Sequence, residues 1–191
     1  MSHADEPDAR TTPDAVTDLE LVEGTLAGRR QDFEELVERH QRMLYAVALR
    51  ILRNADAADE AVQATFVSAY THLSQFRRDA EFKTWLYEIM LNHCRSSRRR
   101  ARRHPEVALE EVPEAALGDP VADASHGAER AALEGHIGRL PPRQRSVLSL
   151  RIFADLPFKE IARAEGITEN AAKVNYHHAI TRLRAWLTSE R

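Results

Sequence analysis

The chain has 191 residues, 43% hydrophobic and only 6% aromatic, which allows one domain or two small ones but not a large aromatic-rich core. Its 27 basic and 30 acidic residues leave a formal charge of −3, which argues against a histone-like polycation. The charge is partitioned, however: residues 1–20 and 105–135 are acidic by 5 and 7, and residues 21–104 and 136–191 are basic by 4 and 5, the pattern of a polyanion partner touched at two places.

Residues 1–17 are polar, acidic and rich in Pro and Thr, the composition of a disordered tail. Residues 29–104 contain neither proline nor glycine, too long a stretch without turn-formers for hairpins or βαβ units, so helices are expected. A short helix is expected from the cap Asp18 to Ala27, before Gly28. Phe33, Leu36, Val37, Leu44, Val47, Ala48, Ile51 and Leu52 recur at helical steps and predict one long amphipathic helix over about residues 31–53. Asn54 and Asp56 end it and open a third helix, whose core stripe is Val62, Phe66, Ala69 and Leu73. A loop over 74–81 leads to a fourth helix, which carries Phe82, Trp85, Leu86 and Ile89 and ends in six arginines among residues 95–103. Residues 105–128 are acidic and proline-bearing and read as a flexible linker. The remainder reads as helices ending near Leu140, running from Pro141-Pro142 to about Phe153, over 157–164 and over 168–187. The expected fold class is all-α, with two small helical domains, 18–104 and 129–191, joined by that linker.

Three segments carry chemistry. In the C-terminal one, Phe158 to Ala164, then Glu165-Gly166-Ile167, then a helix from the cap Thr168 have the short glycine-containing turn of a helix-turn-helix. Ala172, Tyr176, Ala179 and Leu183 form its buried side and place Asn170, Lys173, His177, Thr181 and Arg184 opposite. Such donors suit a helix in the major groove of duplex DNA; a merely solvated face is the alternative. The second segment crowds Phe76, Phe82, Trp85 and Tyr87 into twelve positions ahead of the arginine run, and stacking planes beside phosphate-neutralising cations suit melted or single-stranded DNA. Trp85 fits the core stripe, while Phe76, Phe82 and Tyr87 are open to either role. In the third segment, Glu60, Gln63, Val67 and Thr71 form a mixed acidic and apolar helix face that would suit a basic helical protein surface.

No catalytic residue, metal site or cofactor is expected. There is no Gly-rich phosphate loop, Cys94 beside His93 is no nucleophile–base pair, and His177 and His178 diverge on a helix with no third ligand in register. The single cysteine excludes a disulfide framework and favours a reducing compartment. No apolar run nears the ~18 residues of a membrane span, so a cytoplasmic protein without direct membrane insertion is expected.

Three runs together resemble the extracytoplasmic-function sigma factors of the sigma-70 family. They are Ala58-Asp59-Glu60-Ala61-Val62-Gln63-Ala64-Thr65-Phe66; Phe76-Arg77 through Phe82, Thr84-Trp85-Leu86, Ile89 and Asn92; and Leu140-Pro141, Arg145, Val147-Leu148 and Leu150 followed by Glu160-Ile161-Ala162. The likeness covers about residues 18–187. It implies an alternative sigma factor that binds core RNA polymerase, through its beta-prime and beta subunits, and directs promoter recognition and transcription initiation. It further implies an anti-sigma factor partner, often membrane-anchored, and a stress- or metal-response regulon. By position, Asp56, Asp59, Glu60 and Gln63 would bind the polymerase. Phe76, Arg77, Phe82, Lys83, Thr84, Tyr87, Asn92, Arg95 and Arg99 would bind the minus-ten element, and Asn170, Lys173, Asn175, His177, His178, Thr181 and Arg184 the minus-thirty-five element. The acidic linker would thread toward the polymerase active-site channel.

Ala64 stands where the family usually has an acid, Asn175 and His178 where arginines are common, and Ala171-Ala172 where Thr-Val is common. The run Val174-Asn175-Tyr176-His177-His178 is similar to that of the Cnr-type factors of nickel and cobalt resistance. A helix-turn-helix regulator that never joins polymerase is the alternative, but it has no need of the aromatic and arginine segment.

Overall fold

The computed structural model describes residues 16–103 and 127–189, the first few of the second stretch by backbone alone. The expected tail lies outside the described residues apart from Val16 and Thr17, as does the expected linker apart from residues 127 and 128. The described residues form helices and no strand.

The first half is built from four helices. α1 (Asp18–Leu26) is capped by Thr17, not by Asp18 as the sequence suggested. The Thr17 hydroxyl accepts from the Glu20 amide at 3.3 Å, and the Glu20 carboxylate accepts from the Thr17 amide at 2.7 Å, a reciprocal cap that Asp18 cannot form from inside the first turn. Asp18 turns instead to His40, 2.6 Å from its Nε2. α2 (Arg30–Leu52) buries Phe33, Leu36, Leu44, Val47, Ala48 and Ile51. It ends at Arg53 in the left-handed conformation, φ 56°. Asn54 then caps α3 (Ala55–Thr71), its side-chain oxygen accepting from the Ala57 amide at 2.7 Å. A 3₁₀ turn (Leu73–Gln75) and a loop lead to α4 (Phe82–Arg103). Helices α2, α3 and α4 pack on one another, and α1 lies along α2.

The second half holds α5 (Gly127–Arg139), α6 (Pro142–Ile152), α7 (Phe158–Glu165) and α8 (Glu169–Ser189). Gly166, at φ 65°, makes the left-handed turn between α7 and α8, a conformation that costs a residue with a Cβ. Ala172, Ala179 and Leu183 of α8 are buried, with Tyr176 half-buried beside them.

The two halves dock. α6 and α5 lie against α2, and α7 lies against α4. Val147, Leu150, Leu156 and Ile161 belong to the same continuous apolar cluster as Leu36, Leu86 and Met90. Full burial of one such side chain is worth about 1.5–3 kcal/mol, so the seam is a packed one. Ion pairs frame it. Arg50 meets Glu134 at 2.7 Å with both side chains only 4% exposed, and lies 3.6 Å over the Phe153 ring. Arg163 reaches both Asp79 and Glu88 at 2.6 Å. Arg95 meets the buried Glu165 at 2.9 Å, and Glu165 also accepts from the Ser146 hydroxyl.

Candidate nucleic-acid interface

The outward side of α3 presents Asp56, Asp59, Glu60 and Gln63, all exposed. Gln63 donates to Asp59 at 2.5 Å, and Glu60 pairs with Arg100 of α4 at 2.6 Å. Further along the same helix Val67 and Tyr70 are exposed by 68% and 53%, so the acidic face continues into an apolar one. Tyr70 was not singled out in the sequence, although its position three residues after Val67 carries the signal.

The expected minus-ten residues divide into two groups. Phe76 is half-buried and Arg77 exposed in the loop before α4. They line a cavity of about 760 Å³ with Ser68, His72, Trp85 and Glu88, and Arg163 of α7 stands at its edge. The rings of Phe76 and Trp85 are 5.3 Å apart and tilted by 38°. Asn92 and Arg99 are exposed, whereas Lys83 is half-buried and pairs with Glu81 at 3.0 Å. Arg95 is half-buried and held by Glu165.

Phe82, Thr84 and Tyr87 require a correction, because they are buried at 4%, 0% and 3% exposure. The pitch of α4 turns Phe82, Leu86 and Met90, together with Tyr87, Leu91 and Cys94, toward the core, and leaves Trp85 and Ile89 at the rim of the stripe. Burial drives the Tyr87 phenol far above its ordinary pKa, and it pushes the Cys94 thiol up to about 12 although Arg95 and Arg98 pull the other way. Of the four aromatics between Phe76 and Tyr87, only Phe76 and Trp85 therefore remain partly exposed. Besides Arg77, a second cation lines the same cavity: Arg163, which comes from the other half of the chain and was missed, since a charge on a short helix looks like an ordinary solvated one.

On α8, Asn170, Lys173, His177, His178, Thr181 and Arg184 are exposed, and Lys173 pairs with Glu169 at 2.6 Å. Asn175 is half-buried and donates to the Ala171 carbonyl at 2.8 Å, so its amide is committed to its own helix. The His177 and His178 rings are 6.3 Å apart, and no cluster of three metal-ligating side chains occurs among the described residues. Thr168 caps the helix, its hydroxyl accepting from the Ala171 amide at 3.2 Å.

Asp79, in the loop, accepts a hydrogen bond from Arg163, which holds its carboxyl below the ordinary carboxylate range. That bond, the pair of Arg163 with Glu88 and the pair of Arg95 with Glu165 all join α7 to α4 and the loop before it.

Comparison with known proteins matches residues 36–104 to Sigma-70 region 2 and residues 130–183 to Sigma-70, region 4. The chain is 34% identical over 168 residues to the ECF RNA polymerase sigma factor SigM of Mycobacterium tuberculosis, covering 87% of this chain and 83% of that one. It is 30% identical over 181 residues to the RNA polymerase sigma factor NccH of Alcaligenes xylosoxydans xylosoxydans, covering 92% and 97%. Among solved structures, CnrH in complex with the cytosolic domain of CnrY superposes with a TM-score of 0.68 at 26% identity, over 91% of this chain and 99% of that one.

Proposed function

The chain belongs to the sigma-70 family as an extracytoplasmic-function RNA polymerase sigma factor, and from that premise we propose how its surfaces divide the work of initiation. The outward face of α3, with Asp56, Asp59, Glu60 and Gln63, docks on core polymerase, and Val67 and Tyr70 extend that contact. The loop before α4 takes up the melted minus-ten strand, with Phe76 and Trp85 as the stacking platform and Arg77 as a backbone cation. The exposed side of α8 enters the major groove at the minus-thirty-five element, with Asn170 and Lys173 toward the base edges.

The observation that carries this reading is the pairing, in one chain, of a helix-turn-helix with an aromatic and arginine-lined cavity of about 760 Å³ built mainly from α3, α4 and the loop between them. A repressor that reads only duplex DNA needs the first and not the second. We further propose that an anti-sigma factor holds the chain inactive, by analogy with CnrH, which was solved with the cytosolic domain of CnrY, and that residues 105–128 act as the linker between the two halves. No described helix is long and apolar enough to cross a membrane, in keeping with a cytoplasmic site of action.

Reconstitution with core RNA polymerase tests this assignment. The purified chain should direct run-off transcription from the promoter upstream of its own gene and make promoter thymines reactive to permanganate. A chain that binds that promoter but opens no DNA with core enzyme would sink the division of labour and favour the repressor.

A further inference from the structure

A second cavity, of about 210 Å³, lies in the seam where α4 faces the start of α6, and its wall includes three arginines: Arg95 and Arg98 of α4 and Arg143 of α6. One carboxylate, Glu165, shares the wall, and it is already engaged by the Ser146 hydroxyl and by Arg95 Nη2. Arg98 and Arg143 make no ion pair or hydrogen bond with any described residue. Burial, and then the charge of Arg102, lower the pKa of the Arg98 guanidinium against a smaller opposing pull from Cys94 and Glu165, as expected for a cation held partly out of water.

The same wall carries the beginning of α6. Pro142 and Arg143 line the cavity, and Pro141, at the N-cap, supplies no side-chain acceptor to the first-turn amides. The positive end of an eleven-residue helix, with no side-chain cap on its first N–H groups, therefore lies at a cavity whose wall includes the three arginines. Three guanidinium charges and a helix N-terminus face one carboxylate, so the cleft is short of negative charge. Planar guanidinium forks match the oxygens of a phosphate in pairs, and the cavity is smaller than the ~300–1,000 Å³ typical of pockets for larger organic ligands.

We propose that this cleft binds a small phosphate-bearing anion, of the size of a diphosphate group, which bridges α4 to α6 and holds the two halves of the chain together. The proposal rests on the docked arrangement of the halves and is independent of which residues read the promoter. Arg98 and Arg143 are its main ligands, and Arg95 contributes while it keeps Glu165. By joining the halves through Arg95, the anion also withdraws that side chain from any contact with nucleic acid.

Calorimetric titration of the full chain with inorganic pyrophosphate, against sodium chloride of equal ionic strength, tests the site. One site per chain is expected. Arg98→Gln and Arg143→Gln should each weaken binding by ~10-fold or more, the loss of a charge-assisted hydrogen bond. Arg103→Gln, at an exposed arginine outside the cleft, should change it by less than ~3-fold on the same scale. Arg143 is exposed at its helix start, so its variant keeps the test decisive even if Arg98→Gln disturbs packing. A nucleoside diphosphate titrated in parallel separates the two sources of the group, and one-site binding of either supports the proposal. Absence of heat beyond the chloride control, several equivalent sites, or a loss in Arg103→Gln equal to that in Arg143→Gln would overturn it, since the arginine run would then attract anions diffusely.

Discussion

Arg50 of α2 and Glu134 of α5 form an ion pair at 2.7 Å that is almost wholly withdrawn from water, each side chain being 4% exposed. The two residues are 84 positions apart and belong to different halves of the chain. Two ions lose their hydration to make such a pair, so it adds little net stability, but breaking it is costly.

Glu134→Ala is therefore expected to cost up to about 3–5 kcal/mol, because it removes a carboxylate that meets the buried Arg50 guanidinium. Replacing both partners, as Arg50→Met with Glu134→Leu, should recover most of that loss. Urea unfolding of the three chains measures the difference, and small-angle scattering reports whether Glu134→Ala also undocks the halves. Equal destabilisation by the single and double replacements would contradict a pair dominated by desolvation.

Asp59→Lys with Glu60→Lys should weaken binding to core polymerase while leaving the fold intact, since both side chains point outward from α3. Exposed ion pairs are worth under about 1 kcal/mol, but truncating a charge at a desolvated interface can cost ~2–5 kcal/mol. The double reversal should thus be plain in an equilibrium titration with core enzyme, read beside the circular dichroism of the variant.

Phe76→Ala and Phe82→Ala should fail in different ways. Loss of a stacking ring at Phe76 should reduce promoter opening by ~1–3 kcal/mol per base stacked with little change in thermal stability. Phe82, buried at 4% exposure, should instead cost ~3–5 kcal/mol of folding free energy as a large-to-small core change. Permanganate reactivity and thermal denaturation on the same two proteins separate the effects, and a Phe76→Ala chain that opens DNA like wild type would remove it from the platform.

On α8, Asn170→Ala should relax base preference by about 1–3 kcal/mol at one position of the minus-thirty-five element, as for a bidentate contact. Lys173→Ala, if it touches phosphate, should weaken all sequences alike and lower the salt slope by about one unit. Binding measured against a panel of single-base promoter variants at two salt concentrations distinguishes the two patterns.

The clasp of Arg163 on Asp79 has a defined pH dependence. The folded chain lowers the Asp79 pKa below its ordinary 3.8, so the contribution of the ion pair is fully present above that value and is lost as pH falls through the folded pKa. Wild type and Asp79→Asn should therefore differ by a constant amount between about pH 5 and 8 and converge below about pH 4. Urea midpoints across that range check it; a difference that vanished near neutrality would point to a group other than Asp79.

Most of the local architecture was legible in the sequence because helix signals are local. The steps of Phe33, Leu36, Leu44, Val47 and Ile51 laid out the buried side of α2, Asn54 marked the start of α3, and Gly166 marked the turn before α8. The stripe of Ala172, Tyr176, Ala179 and Leu183 likewise left Asn170, Lys173 and His177 on the open face. The cap of α1 is Thr17 and not Asp18, since both are good caps and only the reciprocal bond with Glu20 selects Thr17.

The sequence alone could not assign sides to the aromatics between Phe76 and Tyr87, because the phase of α4 against two other helices decides which rings point inward. Nor could it foresee the docking of the halves. Arg50, Glu134, Arg163 and Glu165 each look like the solvated charge of an amphipathic helix, and helical periodicity carries no information about a partner 70–84 positions away. Only the tertiary structure brings those charges together, because burying Val147, Leu150 and Ile161 in a shared core also draws the flanking ions into a seam where water no longer screens them.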